Sequence, residues 1–294
     1  GGSATQPYTN IGDMENNGID ITASYRGKIQ NDLSYNVSLN ATHYKNKVTY
    51  VSDDIDFFYS SGADGHAQYV RNQVGSPMAS FYGYEYLGPI RSAAEAASLP
   101  TGLAGSNWAG GWNFNDRDGS GDITPEDRTI IGNPHPDVTF GLNLGLTYKT
   151  FDFNMFLFAS IANDIYNYQR YYYETGRWGS VFSKEMLTDS WTPENPNARL
   201  PQLNVDNSNV ADVASSYYIE NGSYLRAKSI QIGYNVPGNI LSRLAGSSAR
   251  ARVYVQAQNL FTITGYSGID PSLSNVNIGD GGANDQYMGT DLGN

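Results

Sequence analysis

The stretch VTFGLNLGLTYKTFDFNMFLFA, residues 138–159, decides the fold class of this chain. Apolar residues alternate with small or polar ones from Val138 to Tyr148, and after the turn Lys149-Thr150 the apolar positions Phe151 to Ala159 continue the same face backwards. Successive side chains of a strand point to opposite faces, so this period of two predicts an antiparallel hairpin with one apolar and one polar face. Each arm has about the nine to eleven residues that a tilted strand needs to cross a bilayer.

The same alternation recurs along the chain, for example from Ile19 to Tyr25 and from Leu33 to Ala41. These segments are longer than the five or six residues that are typical of strands in soluble proteins. The strand at 224–234 changes parity, which predicts a bulge near Ser229. Eight strands are predicted, at residues 17–27, 32–48, 67–74, 79–88, 137–148, 151–162, 224–234 and 250–263.

The connections between these strands alternate in length. Those at 28–31 and 149–150 are short, whereas those at 49–66, 89–136 and 163–223 are long. In bacterial outer-membrane barrels the short turns are periplasmic and the long loops are extracellular. We therefore predict an all-β chain, a transmembrane antiparallel β-barrel segment of about eight strands with long extracellular loops.

Composition excludes several classes of function. A net charge of -11 argues against a nucleic-acid partner, because no basic surface is available to neutralise phosphates. The 23 tyrosines suit a membrane interface, where an amphipathic ring has one wet end and one dry end. Zero cysteines fit an oxidising compartment. No run approaches the 18 apolar residues of a transmembrane helix.

Nothing in the sequence selects a catalytic centre. His43, His66 and His135 are far apart and lack the close pair that is typical of zinc sites, so a structural role is expected for each. There is no thiol nucleophile and no Gly-x-Ser-x-Gly elbow. We expect that the protein is not an enzyme.

One acidic segment, NDRDGSGDITPED at residues 115–127, has the spacing of a calcium-binding loop. Oxygen ligands are expected at positions one, three, five, seven and twelve, with Gly121 providing the sharp turn at position six. The alternative is an acidic surface turn that holds no ion. If Ca²⁺ is bound, we expect its role to be structural, namely to stabilise a long loop. The predicted metal ligands are Asp116, Asp118, Ser120, Asp122 and Asp127.

Aromatic residues and arginines are interleaved at residues 166–178, directly after a predicted strand. Aromatic rings stack on sugars, and guanidinium groups bind carboxylates and carbonyls, so this segment suits a glycan or a peptide. A self-packed loop core is the equally weighted alternative. The candidate substrate-binding residues are Tyr168, Arg170, Tyr172, Arg177 and Trp178.

Six separate motifs in the chain closely resemble the C-terminal half of SusC/RagA-type TonB-dependent transporters. They are NIGDMENNGIDITASY, VGSPMASFYGYEYLGPI, DRDGSGDITPEDRTIIGNPHPDVTFGLNLGLTYKTFDFNMFLF, DSWTPENPNARLP, NGSYLRAKSIQIGYNVP and VYVQAQNLFTITGYSGIDPS. The resemblance implies a barrel of about 22 strands in the outer membrane of Bacteroidetes. It also implies an N-terminal plug domain, energy relayed by the TonB complex through that N-terminal part, and a SusD-type surface lipoprotein as partner. The substrates that it implies are oligosaccharides or peptides.

Measured against that family, residues 1–294 correspond to a C-terminal portion of the barrel. The plug domain, the first half of the barrel and the final strand are not in the sequence, so a fragment of a larger barrel is favoured over a closed eight-stranded one. Two functions stay open at this point. The first is part of an outer-membrane nutrient importer, in contact with outer-membrane lipid, and the second is a secreted, calcium-stabilised β-domain that binds glycans.

Overall fold

The fold comes from a computed structural model that describes residues 12–29, 32–60, 66, 68–103, 107–175, 182–203, 208–245, 249–272 and 290–291. In this part of the chain, no helix is both long enough and apolar enough to span a membrane. The strands are β1 (Asp13–Ile29), β2 (Leu33–Tyr50), β3 (Phe57–Tyr59), β4 (Val70–Gln73), β5 (Ser80–Gly83), β6 (Tyr86–Pro89), β7 (Trp112–Phe114), β8 (Thr129–Gly132), β9 (Val138–Tyr148), β10 (Phe151–Ile161), β11 (Asp164–Asn167), β12 (Ile219–Asn221), β13 (Tyr224–Asn235), β14 (Arg252–Gln258), β15 (Thr262–Thr264) and β16 (Thr290–Asp291). The α-helices are α1 (Ala93–Ala96), α2 (Gln169–Thr175), α3 (Lys184–Thr188), α4 (Ser208–Ala211) and α5 (Gly238–Ala245).

One large antiparallel sheet, the barrel sheet, contains the long strands in the order β1-β2-β9-β10-β13-β14. β15 pairs with the start of β13, so β14 and β15 share one edge of the sheet. The predicted strand at 250–263 is thus interrupted at Asn259, whose φ of 49° breaks the extended backbone. β1 and β2 have 17 and 18 residues, which is longer than a bilayer crossing requires.

The two faces of the barrel sheet differ as the alternation predicts. On one face large apolar side chains are exposed, among them Ile19 (64%), Phe151 (52%) and Val255 (76%). An exposed apolar band of this extent is what contact with lipid requires. On the polar face, the side chains of Asn36 and Asn40 lie across Gly145 and Gly141 of β9, where an added Cβ would come within 2.1 and 2.2 Å of their Oδ1 atoms. Glycine at both positions lets these amide side chains lie directly against the strand, and a larger residue would have to displace them.

The predicted bulge in β13 is confirmed. The register between β10 and β13 shifts between Phe156, opposite Ser229, and Leu157, opposite Ala227, so Lys228 is the extra residue. The bulge returns Leu225 to the apolar face, which Ile230 and Ile232 also occupy. The change of parity in the sequence is therefore reconciled with one continuous strand.

The prediction of eight barrel strands is wrong in its count, although the fold class is confirmed. Residues 67–74 and 79–88 lie in the loops, where β4 and β5 belong to a separate sheet of order β3-β4-β5-β8, here called the loop sheet. All four residues of β5 are buried, so it is covered on both faces and cannot line a lumen. The first long loop, between β2 and β9, therefore spans residues 51–137, and the second, between β10 and β13, spans 162–223.

The hydrophobic core lies in these two long loops. Its buried members come from both loops, for example Phe81 and Trp112 from the first and Tyr166 and Leu200 from the second. None of the described residues of β1, β2, β9, β10, β13 or β14 belongs to it. We call this cluster the loop core. The molecule thus has two parts, a sheet that exposes its apolar face and a loop layer with a packed interior.

Candidate functional sites in the long loops

The predicted calcium loop connects β7 to β8 in the first long loop, so short strands flank it. Asp127 is fully buried, and its carboxylate accepts hydrogen bonds from the backbone N–H groups of Arg117 (2.7 Å) and Thr124 (2.8 Å). These bonds tie position twelve of the loop to positions two and nine. A short 3₁₀ turn at Pro125–Asp127, preceded by the capping residue Thr124, presents Asp127 to the loop.

Three of the predicted ligands converge. Carboxylate oxygens of Asp116, Asp118 and Asp127 lie within 4.8 Å of one another. Gly119 and Gly121 have φ values of +71° and +89°, which let their N–H groups point inwards at Asp116. Hydrogen bonds from the side chain and backbone N–H of Ser120 lower the pKa of Asp118, so this carboxylate is charged at neutral pH.

The other two predicted ligands, Ser120 and Asp122, lie next to each other in the same loop. The Ser120 Oγ lies 3.0 Å from the backbone carbonyl oxygen of Asp122, so these two oxygen atoms already lie side by side. The next residue, Ile123, is buried, and its N–H donates to the Thr101 carbonyl, which ties the loop to the neighbouring segment. Carboxylate, hydroxyl and carbonyl oxygens are the ligands that Ca²⁺ prefers, so the residues present fit this ion.

The aromatic segment of the second long loop packs mainly inwards. Tyr168 is 2% exposed, and its ring stacks on Tyr171 with centroids 5.3 Å apart. Tyr172 is half-buried and makes edge contacts with both rings. Arg177 and Trp178 lie outside the described residues. The sequence alternative of a self-packed loop is therefore realised for Tyr168, whose ring faces the interior.

Arg170 is held by an internal network. Its Nε donates to Glu174 over 2.8 Å, another N–H donates to the Tyr217 carbonyl, and its guanidinium lies 4.2 Å from the Tyr217 ring centroid. The Tyr217 hydroxyl also donates to Glu174. Beside this network is an open cavity of about 420 Å³, lined by Asn167, Gln169, Arg170, Tyr173, Glu174, Ser183, Lys184, Glu185, Ser267, Gly268 and Ile269.

His66 is the residue whose importance the sequence does not indicate. It belongs to the first long loop, yet its ring is fully buried among four tyrosines of the second. Nε2 lies 2.8 Å from the Ala211 carbonyl, which can only accept, so Nε2 carries the proton and Nδ1 accepts from the Tyr166 hydroxyl. Burial lowers the pKa of His66 to about 4, although the bond to Ala211 opposes this shift. The ring centroids of Tyr166, Tyr168, Tyr171 and Tyr218 lie 4.5–5.8 Å away.

The three histidines have the structural roles that the sequence predicts. His43 and His135 each hydrogen-bond a backbone carbonyl, that of Asp137 and that of Met78 respectively. Arg226, on the polar face of β13, likewise has a structural partner in Asp270, at 2.6 Å. Sequence spacing could not reveal the partners of His43, His135 and Arg226, because each partner is about 40 to 100 positions away in the chain.

Similarity to known proteins was found at both the sequence and the structure level. The chain is 36% identical over 282 residues to TonB-dependent receptor P3 of Formosa agariphila, an alignment that covers 92% of this chain and 27% of that receptor. It is 28% identical over 279 residues to TonB-dependent receptor SusC of Bacteroides thetaiotaomicron, covering 91% of this chain and 25% of SusC. No family model matches the chain.

A solved structure of the RagAB peptide transporter superposes with a TM-score of 0.68 at 23% identity, covering 89% of this chain and 27% of that chain. At this identity the superposition shows the fold alone. The chain thus spans about a quarter of the length of the proteins that it matches. The named relatives are receptors and transporters rather than enzymes. Sequence similarity to TonB-dependent receptors that include SusC, over about nine-tenths of the chain, together with the fold shared with the RagAB transporter, identifies the chain as a SusC/RagA-type fragment.

Proposed function

We propose that this chain forms part of the barrel of an outer-membrane, TonB-dependent importer of oligosaccharides or peptides. The observation that carries this proposal is the barrel sheet, with its exposed apolar face, its polar opposite face and its similarity to TonB-dependent receptors over about nine-tenths of the chain. An exposed apolar band has no place in a secreted, water-soluble binding domain, so the importer is favoured over that alternative.

The same proposal assigns the partners. A SusD-type lipoprotein would contact the extracellular loops, and the TonB complex would act through an N-terminal part of the full receptor. SusC and the RagAB transporter are the relatives that support this assignment. Ca²⁺ would be bound within the first long loop, and the transported molecule would meet the second.

The orientation of the barrel is tested by cysteine labelling of the full receptor, after replacement of any cysteine outside this chain, which itself has none. Cysteine at exposed Glu194, in the second long loop, should react with an impermeant maleimide on intact cells. Cysteine at Thr150, in the two-residue turn between β9 and β10, should react only after the outer membrane is permeabilised. Equal labelling of Thr150→Cys on intact cells would contradict the proposed orientation.

We expect one Ca²⁺ to bind between Asp116, Asp118 and Asp127 and to order the first long loop. A ligand that binds only the folded loop at about 100 times its Kd stabilises it by about 2.7 kcal/mol. Chelation with EGTA, or the substitution Asp118→Ala, should therefore speed protease cleavage within residues 107–137 about a hundredfold while β9 and β10 stay intact. Cleavage is followed by mass spectrometry of the full receptor.

Asp54→Ala is the matched control for the calcium prediction. Asp54 is an exposed aspartate of the same long loop and lies outside the predicted ligand set. Its removal should leave both the cleavage rate and the response to EGTA unchanged. If Asp118→Ala, Asp54→Ala and the parent receptor respond identically to EGTA, the loop holds no functional Ca²⁺.

Substrate contacts are proposed for the outer side of the aromatic segment. The wall behind the cavity would be formed by Tyr168, Arg170 and Tyr172. Two further predicted contacts, Arg177 and Trp178, lie outside the described residues. Tyr173, 47% exposed and lining the cavity, is the described ring that is free to stack on a ligand. Losing such a ring costs about 0.5–1.5 kcal/mol, a several-fold loss of uptake. Uptake of a nutrient that the receptor imports should fall in Tyr173→Ala and not in Leu187→Ala, which removes an exposed side chain outside the cavity.

A further inference from the structure

A second cavity lies against the loop sheet, on the face opposite the loop core. Phe57 and Tyr59 of β3, Arg71 of β4 and Tyr82 of β5 share this face, because Tyr59 pairs with Arg71 and alternate residues of a strand point the same way. The Arg71 Cζ atom lies 3.6 Å from the Phe57 ring centroid and 4.4 Å from that of Tyr82. The guanidinium of Arg71 is therefore clamped between two rings.

Arg128, just before β8, is held in the same way. Its Cζ atom lies 4.7 Å from the Tyr82 ring centroid, so both arginines contact one tyrosine. One of its N–H groups donates to the Gln68 carbonyl over 2.8 Å. Rings that fix the plane of a guanidinium leave its edge free to donate in two parallel hydrogen bonds. The pair is thus preorganised for an acceptor with two oxygen atoms.

No such acceptor is supplied by the described part of the chain. The Nε atoms of Arg71 and Arg128 are buried without a hydrogen-bond partner there, and neither residue forms an ion pair with the described carboxylates. A buried donor without an acceptor costs about 1–3 kcal/mol, more when it is charged. Among the other described arginines of the loops, Arg170 and Arg199 have carboxylate partners, whereas Arg91 and Arg117 form no ion pair with a described carboxylate. Arg71 and Arg128 differ from Arg91 and Arg117 because each lies against aromatic rings and has a buried Nε without a partner. Both residues line the cavity, so an acceptor from outside the chain would meet their terminal N–H groups.

The cavity in front of these groups has a volume of about 450 Å³. Three arginines (Arg71, Arg117 and Arg128) and two acids (Asp118 and Glu126) line it, which leaves one positive charge in excess. Asp118 is also one of the predicted Ca²⁺ ligands, so an ion in that loop would make the cavity more positive still. This charge balance favours an anion over a neutral or cationic ligand.

We propose that this cavity binds the oxyanion group of an acidic ligand, a carboxylate or a sulfate, with Arg71 and Arg128 as its direct contacts. Phe57 and Tyr82 position the two guanidinium groups. The proposal does not depend on transport, since it concerns binding to the loop sheet alone. It gives the loops a selectivity for acidic ligands that the aromatic segment does not supply.

Binding is tested by titration calorimetry on the full receptor in detergent at low salt, with glucuronate, glucose and inorganic sulfate as probes. Glucuronate and glucose share a ring and differ in one carboxylate. We expect glucuronate or sulfate to bind saturably and glucose not to bind. Arg71→Met and Arg128→Met, which keep an apolar stem between the rings, should each weaken anion binding about tenfold, as expected for one charged hydrogen-bond pair.

Arg199→Met is the matched control, because Arg199 is a loop arginine that already has carboxylate partners, Glu185 and Asp189. The anion affinity of the Arg199→Met receptor should equal that of the parent. Arg71→Lys keeps the charge and loses the fork, so it should bind more weakly than the parent even if Arg71→Met fails to fold. Preference for glucuronate over sulfate would assign a carboxylate, and the reverse a sulfate. Equal binding of glucose and glucuronate, or full anion affinity in both the Met and the Lys variants, would overturn the proposal.

Discussion

Lowering the pH from 7 to 4.5 should loosen the contact between the two long loops by about 2–3 kcal/mol of local opening free energy. The group responsible is His66, buried among four tyrosines and neutral in the folded loops. Its pKa is about 4 in the folded state, against 6.5 for an ordinary histidine. The stabilisation is therefore fully present above about pH 6.5 and is lost as the pH falls towards 4, because the opened loop binds a proton that the closed loop rejects.

Hydrogen exchange of residues 164–175 and 208–221, measured across this pH range, reports the opening free energy. The substitution His66→Gln supplies the control, because its amide can donate to Ala211 and accept from Tyr166 without titrating. At pH 7 the opening free energy of this variant should be lower than that of the parent. Because glutamine does not titrate, residue 66 should no longer make that free energy depend on pH. Burial raises the pKa of Asp164, which acts with the opposite sign, so the parent and the variant are compared at each pH. An identical pH response in both proteins would contradict the prediction.

The second large effect is expected from Asp270→Ala, at about 3 kcal/mol. Arg226 has a side chain that is 6% exposed, and it donates to both carboxylate oxygens of Asp270. Among the described residues, removing Asp270 leaves the buried guanidinium with the neutral hydrogen-bond partners Thr262 and Ser272. This loss of stability is at the lower end of the range expected when a buried ion pair is broken, because the Asp270 side chain is itself 41% exposed. Faster hydrogen exchange of residues 262–272 measures it.

Asp32→Ala provides the comparison for this pair. Asp32 faces Lys149 at 3.7 Å, both side chains are more than half exposed, and such surface pairs contribute about 0–1 kcal/mol. Although partial burial opposes it, hydrogen bonds from Arg226 and Ser272 lower the pKa of Asp270 to about 2. The pair is therefore intact above about pH 4 and is lost as the pH falls towards 2, below the range in which His66 titrates. Equal exchange in Asp270→Ala and the parent would show that Arg226 needs no counter-ion.

The long strands could be predicted from sequence because lipid and water impose opposite requirements on alternate residues. The hairpin at 138–159 and the bulge at Lys228 follow from this pattern alone. In the loop sheet, β4 alternates in burial over four residues, with Val70 and Asn72 buried and Arg71 and Gln73 half-buried, although only Val70 is apolar. Val70 packs in the loop core. Periodicity over so short a span does not distinguish a lumen wall from a loop sheet.

The candidate sites divide in the same way. The convergence of Asp116, Asp118 and Asp127 could be predicted because they lie within twelve consecutive positions, so local spacing determines their geometry, while Ca²⁺ binding stays a prediction. Tyr168 was predicted to meet a ligand but is enclosed by partners such as His66, which is about 100 positions away in the chain. Contacts between residues so far apart in the chain cannot be recognised from the spacing of residues in the sequence. The same holds for the ring clamp on Arg71, which joins three strands of the loop sheet.

The shared loop core restricts which chimaeric receptors can fold. Residues of both long loops build it, with His66 of the first inserted among tyrosines of the second, and the barrel strands among the described residues contribute none of its members. Transplanting one long loop onto a related barrel would therefore transfer only part of the loop core, without the residues of the other loop that pack against it. Transplanting 51–137 and 162–223 together would carry a complete interior to a new set of strands. The two loops form the smallest unit that recombination between such receptors can exchange without loss of packing.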